Sequence, residues 1–279
     1  MRRLSLSRLI LSLVLLFTPL SELGALAQAA EPTPKATSYG IPASSQQLIL
    51  VLTDSWQAIP AKLYRYQRAS ADASWSTAGQ PIAAVVGRKG LGWGRGLHSP
   101  ADTNGDYRVE FDKRAPAGIF ALGTVFGLAS ESQARHWLGG LRMPYLELTE
   151  SIRCIGDHDS QHYNTLVDIH QVKSDWRDAP NEKMREIAVT DEKAYQWGVF
   201  INHNLDANPQ PRDKISGSCI FLHIWKTPDT GTAGCTAMTR EHMVEIVRWL
   251  DQARHPVLVQ LPRSEYTRLQ AAWGLPVAN

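Results

Sequence analysis

His223 and Cys235 stand twelve residues apart, the histidine closing Ser216-Gly217-Ser218-Cys219-Ile220-Phe221-Leu222-His223 and the cysteine within Thr232-Ala233-Gly234-Cys235-Thr236. The first run reads as a strand that delivers a histidine, the second as a tight glycine turn that presents a thiol. A thiol becomes a useful nucleophile only when a neighbour takes its proton or a positive potential holds the thiolate. A strand and a loop that bring the two together therefore suit acyl transfer, with Cys235 as nucleophile and His223 as general base. Gly234 lets backbone N–H groups turn inward beside the thiol, where they could receive an oxyanion. Each residue also has a plainer reading: a buried structural thiol, a core histidine among apolar neighbours, a turn glycine.

The stretch His223-Ile224-Trp225-Lys226-Thr227-Pro228-Asp229-Thr230-Gly231-Thr232-Ala233-Gly234-Cys235 resembles the catalytic domain of the L,D-transpeptidases, the YkuD-like family of bacterial cell-wall enzymes. Upstream segments resemble the same family: the glycine-rich run Val86-Gly87-Arg88-Lys89-Gly90-Leu91-Gly92-Trp93-Gly94, then Asp112-Lys113-Arg114-Ala115-Pro116-Ala117-Gly118-Ile119-Phe120. Tyr163-Asn164 and Ile201-Asn202-His203-Asn204 are similar to a less common branch of it. The likeness spans roughly residues 47–261. It implies a catalytic Cys235 with His223 as its base and the Gly234 backbone at the oxyanion, no cofactor and no metal. It also implies peptidoglycan stem peptides as the partner, a ping-pong reaction through a Cys thioester, and release to an amine, which cross-links, or to water. The alternatives are an L,D-carboxypeptidase, endopeptidase or amidase acting on the same bonds, or a cell-wall-binding protein without turnover. The branch is atypical: Ala233 stands where the common motif has His before Gly-Cys, Thr236-Ala237 where a basic or polar residue follows, and Ile224 where a small polar residue follows the strand histidine. Candidate substrate contacts are Tyr163, Asn164, His203, Asn204, Trp225 and Thr232, each with an equally plain reading as a turn or loop residue.

The elements that must position these residues read as mostly strands. Short apolar runs at 48–53, 61–67, 82–86, 118–125, 145–148, 167–170, 197–201, 219–224 and 257–261 are separated by Gly, Pro and Asp. Their number predicts a mainly β fold, an antiparallel β-sandwich or partly open barrel of the L,D-transpeptidase type. One helix is clear: Thr239 is a fitting N-cap, Glu241 suits the positive end of the dipole, and Met243, Ile246, Val247 and Leu250 share a face. It follows the Cys235 turn directly. A shorter C-terminal helix is expected over 264–273, stopped by Gly274 and Pro276.

At 279 residues, 43% hydrophobic and 20% charged, the chain can bury one substantial core. Arg2, Arg3 and Arg8, a largely apolar run over 9–17 and Ala25-Leu26-Ala27 have the grammar of a cleavable signal peptide, and a run of nine residues is too short to span a bilayer. The expected organisation is a signal peptide at 1–27, a proline-bearing linker at 28–46, the catalytic domain at 47–261 and a helix and tail at 262–279. That predicts a periplasmic or wall-associated protein with no transmembrane segment after cleavage. Loss of three arginines and Glu22 would take the formal charge from +2 to zero, which argues against nucleic acid as a partner.

Export changes how the three cysteines are read, because thiols pair in an oxidising compartment and three cannot all pair in one chain. Cys154 could bond Cys219 and leave Cys235 free, or Cys219 could be a buried thiol near the site; spacing leaves both open. The polar run 157–164 with His170 offers potential ligands, but its Asp, Ser and Asn residues disfavour the helix that an HxxxH zinc pair requires, so a solvated or substrate-lining loop is preferred. Asp102-Thr103-Asn104-Gly105-Asp106 lacks the glycine and glutamate positions of an EF-hand. The glycine run over 87–96 lacks the Lys-Ser/Thr ending of a phosphate loop and reads as a cleft edge. Nine tryptophans are many for this length, with core packing the commoner reading and sugar stacking the sharper one.

Overall fold

The computed structural model describes residues 39–190 and 193–278. The expected signal peptide and most of the expected linker lie outside the described residues. Fourteen strands and four α-helices follow in the order β1 (Gln47–Thr53), β2 (Pro60–Gln67), β3 (Ser76–Thr77), β4 (Ile82–Val85), β5 (Leu91–Trp93), β6 (Ala115–Gly127), α1 (Glu131–Leu138), β7 (Tyr145–Glu147), β8 (Ile152–Cys154), β9 (Leu166–Asp168), β10 (Glu182–Lys183), α2 (Met184–Val189), β11 (Trp197–Ile201), β12 (Phe221–Ile224), β13 (Thr236–Met238), α3 (Arg240–Trp249), β14 (Val257–Pro262) and α4 (Arg263–Leu269), counting only the described residues. No helix among them is long and apolar enough to cross a membrane.

The fold is mainly β, but closed and mixed, which corrects the expected antiparallel sandwich or partly open barrel. Eight strands form a ring in the order β1-β14-β6-β11-β12-β13-β4-β2, and β2 pairs back onto β1 to close it. The pairs β1–β14 and β12–β13 are parallel, as are the outlying β5 and β7 where they join β6. The physical reason lies in side-chain alternation, which is the same in parallel and antiparallel strands and so does not carry direction. β8, β9 and β10 make a separate three-stranded antiparallel sheet.

All seven residues of β1, Gln-Leu-Ile-Leu-Val-Leu-Thr, are buried. One face of the strand turns to the barrel interior and α4 packs across β14 and β1, so an unbroken apolar run is what this position requires. Burying each of Leu48, Ile49, Leu50, Val51 and Leu52 contributes about 1.5–3 kcal/mol. β6 is the spine: its thirteen residues bond β14 and β11 on its two edges, with β5 and β7 extending it at either end.

α3 forms as the sequence predicts. Thr239 Oγ1 accepts from the His242 N–H at 3.1 Å, and Met243, Ile246 and Val247 are buried against the barrel. Trp93, Trp197 and Trp273 are buried, and Trp56, Trp75 and Trp249 pack against the same core, so packing accounts for most of the tryptophans. The glycine run does not edge the cleft. It builds the turn before β5 and a bridge from Gly87 to Thr232, bracing the cysteine turn from below.

Candidate active site

Parallel neighbours need a crossover, and that requirement brings Cys235 to His223. Leu222 faces Thr236 and His223 faces Ala237 across β12 and β13. A chain leaving β12 after its histidine must return to the level where β12 began before it can enter β13. Residues 225–235 make that return. Cys235, the last of them, arrives beside Phe221, whose backbone N–H donates to Sγ at 3.4 Å. Phe221 and His223, two apart on β12, share a face, and Cys235, one residue before the Thr236 that faces Leu222, comes level with Phe221.

The cysteine turn is fixed by Thr232. Its hydroxyl donates to the Cys235 carbonyl at 2.6 Å and accepts from the Gly234 N–H at 3.1 Å. Gly234 has φ +155°, and a Cβ there would come within 3.2 Å of the Arg114 carbonyl. Gly234→Ala is therefore expected to lower stability by about 1–3 kcal/mol, measured by thermal unfolding, and to displace the thiol. A variant as stable as the parent would show that the turn is not constrained.

Cys235 and His223 line one pocket of about 270 Å³, whose walls also include Arg108, Glu110, Glu182 and Tyr195. His223 Nδ1 lies 2.7 Å from the Ile224 carbonyl, which can only accept, so in the neutral ring Nδ1 carries the hydrogen and Nε2 is the basic nitrogen. The Tyr195 ring meets the His223 ring edge-on at 5.3 Å, and its hydroxyl donates to Glu182 Oε2 at 2.7 Å.

Burial pushes the Cys235 thiol up to about 12, and the nearby Glu182 adds to the rise; the Phe221 N–H and the Arg108 charge oppose it. The resting group is a thiol, and a base must take its proton for it to react. Burial also pushes the Glu182 carboxyl up to about 7 against the Tyr195 hydrogen bond, with Glu110 raising it further. Glu110 is raised as well, chiefly by burial, although Arg108, Ser218 and Tyr163 hold it down. Arg108 is 2% exposed, and its Nη1 lies where a side chain at Gly217 would collide at 1.7 Å. Gly217, at φ +97°, is thus the residue that lets this cation in behind the cysteine.

Cys154 is bonded to Cys219, their Cα atoms 6.0 Å apart, and Cys235 is the unpaired cysteine. The bond joins β8 of the small sheet to Cys219, two residues before β12. Cys154 faces Glu182 across β8 and β10. Cys219 offers its carbonyl to the Cys235 thiol at 3.7 Å.

The other sequence candidates lie elsewhere. Tyr163, Asn164, His203 and Asn204 are all buried and none lines the pocket. Asn164 donates to the His203 and Asn204 carbonyls and accepts from the Cys219 N–H, Asn204 donates to the Asp213 and Gly217 carbonyls, and His203 bonds the Ser216 carbonyl. These side chains shape the loop that leads into β12. Tyr163 donates to Glu110 Oε2 at 3.1 Å and so touches the pocket wall from behind. Trp225 is half-buried outside the pocket, and Thr232 is committed to its turn. Asp157 is paired with Arg177, which organises the polar loop, and the described residues hold no group of three or more His, Cys, Asp or Glu placed to bind a metal. Sequence reasoning missed Arg108, Glu110, Glu182 and Tyr195. The Ser218 and Tyr163 hydroxyls tie Glu110 to recognised segments and the Tyr195 ring meets His223, but nothing in the spacing announces these contacts.

A family model described as YkuD, L,D-transpeptidase catalytic domain, matches residues 84–259. No curated protein and no solved structure matches the chain.

Proposed function

The chain belongs to the L,D-transpeptidase catalytic domain family, and on that premise we propose that it is an exported cysteine acyltransferase acting on peptidoglycan stem peptides. The observation that carries the reading is the convergence of an unpaired thiol and a histidine on one pocket. Export rests on the basic, apolar and Ala-x-Ala segments of residues 1–27. The same segments support a periplasmic or wall-associated location, and the catalytic domain is assigned to 47–261.

His223 Nε2 takes the Cys235 proton, and the thiolate attacks a stem-peptide carbonyl. The oxyanion is received by the backbone of the Gly234–Cys235 turn; since the Gly234 N–H already donates to Thr232, the Cys235 N–H carries the larger share. The Arg108 charge lowers the cost of negative charge at sulfur. The terminal residue leaves as an amine and a thioester remains, to be resolved by an amine from a neighbouring stem.

Intact-protein mass spectrometry with purified tetrapeptide muropeptides tests this directly. A Cys235 adduct with cross-linked dimer is the expected result. An adduct with only trimmed peptide makes the protein a hydrolase, and a folded protein with neither adduct nor product makes it a wall-binding module. His223→Ala is expected to slow acylation about a hundredfold or more, read as the rate of adduct formation. Acylation at the parental rate would remove the base role from His223.

A further inference from the structure

The proposed reaction leaves one proton unassigned, and of the two carboxyls lining the pocket that the reaction does not use, Glu110 is engaged by Tyr163 and Ser218 while Glu182 is held by Tyr195. We infer that Glu182 is a second acid–base group of the thiol site, giving a proton to the departing amine and taking one from the incoming nucleophile, with Tyr195 as its positioning residue. The inference rests on the acyl-transfer reading and extends it to the leaving-group side.

Three observations place Glu182 there. It lines the pocket with Cys235 and His223. Tyr195 donates to its Oε2 at 2.7 Å, and the Tyr195 ring packs edge-on to His223 and in the same buried cluster as Cys235, so the carboxyl is fixed one side chain away from the thiol and its base. It is also anchored from behind, through its pairing with Cys154 and the bond from Cys154 to Cys219, whose carbonyl contacts the thiol. The titratable and charged groups that line the pocket with it are Tyr195, Cys235, His223, Glu110, Arg108 and Lys113. A carboxyl raised to about 7 holds both protonation states at neutral pH, which a group that donates and then accepts requires.

The protons balance as follows. As the S–C bond forms, the thiol proton passes to His223. As the C–N bond breaks, the carboxylic proton of Glu182 passes to the leaving nitrogen, and a neutral amine departs from a site holding a carboxylate and an imidazolium. In the second half, the attacking amine or water gives its proton to the Glu182 carboxylate. The S–C bond then breaks, and His223 returns its proton to sulfur.

A leaving-group comparison tests this. Glu182→Gln is expected to cut turnover of the amide donor about a hundredfold. With a p-nitrophenyl ester of the same acyl group, which departs as a stable anion and needs no proton, the loss should shrink to within about threefold in the acylation burst. The limb of the pH–rate profile near 7 should vanish in Glu182→Gln and remain, displaced, in Tyr195→Phe. Equal losses on amide and ester would overturn the assignment, because a merely structural role damages both, and so would a parental pH profile in Glu182→Gln. If wild-type protein forms no adduct with either donor, the acyl-transfer reading itself has failed and takes this one with it. Parental adduct formation with an unaffected Glu182→Gln variant sinks the carboxyl alone.

Discussion

Cys235→Ala is expected to abolish turnover of muropeptides and to leave the protein folded. The substitution removes the atom that would carry the acyl group, and no other cysteine can replace it, since Cys154 and Cys219 are bonded to each other. The expected fall in rate is at least about a thousandfold, the size typical of losing a nucleophile that acts as a unit with its base. The structural cost is small. Sγ accepts one hydrogen bond, from the Phe221 N–H, and touches the Cys219 carbonyl, so about 1 kcal/mol is at stake. Cys235→Ser should be nearly as inactive, because a hydroxyl in the same dry setting is harder to ionise than the thiol. The check is mass spectrometry for the adduct beside circular dichroism for the fold. Residual turnover above a tenth of the parental rate in Cys235→Ala would place the chemistry on another residue.

Replacing both Cys154 and Cys219 with Ser is expected to have the largest effect on stability. The bond closes a loop of 65 residues, and in the chain-entropy account a loop of that length contributes about 4 kcal/mol by restricting the unfolded chain. For a domain of this size that corresponds to a fall in Tm of about 8–16 °C. The loss should not be confined to stability. Cys219 leads into β12 and Cys154 faces Glu182, so the small sheet would no longer be tied to the thiol site, and activity measured well below the new Tm should fall too. Thermal unfolding of the parent with and without reductant makes the same comparison without mutation. A double variant that melts within 2 °C of the parent would show that loop closure contributes little here.

The legible parts of this protein were those whose partners are close in sequence. α3 could be read because Thr239, Met243, Ile246 and Val247 lie within one short segment, and His223 and Cys235 because one strand and one crossover join them. α1 carries a capping box from Ser130 to Gln133 and a left-handed Gly139 at its end, but only Ala134 and Leu138 are buried, too thin a stripe for periodicity to reveal. β5, β8 and β10 are two or three residues long and leave no pattern at all. Glu182 and Tyr195 reach the pocket from the far side of a disulfide and from a turn before β11, and Arg108 arrives through a gap left by Gly217; none has a neighbour in sequence that points to the thiol. Tyr163, Asn164, His203 and Asn204 show the converse. Polar side chains in a loop satisfy buried backbone groups as readily as they face a ligand, and composition does not distinguish the two.

The ring of strands has a seam that closes last. β14 lies between β1 and β6, and Leu48 faces Val257, about 200 residues further along the chain. Until β14 has been made, β1 and β6 both present open edges, and no barrel encloses the core. Folding is therefore tied to completion of the chain, and the contacts that lock it are among the most remote it makes. Under the proposed export, in which the chain would cross a membrane unfolded, this order of events would be protective. A chain still lacking β14 has no finished barrel, and the ring around the thiol pocket closes only when that strand has joined β1 and β6.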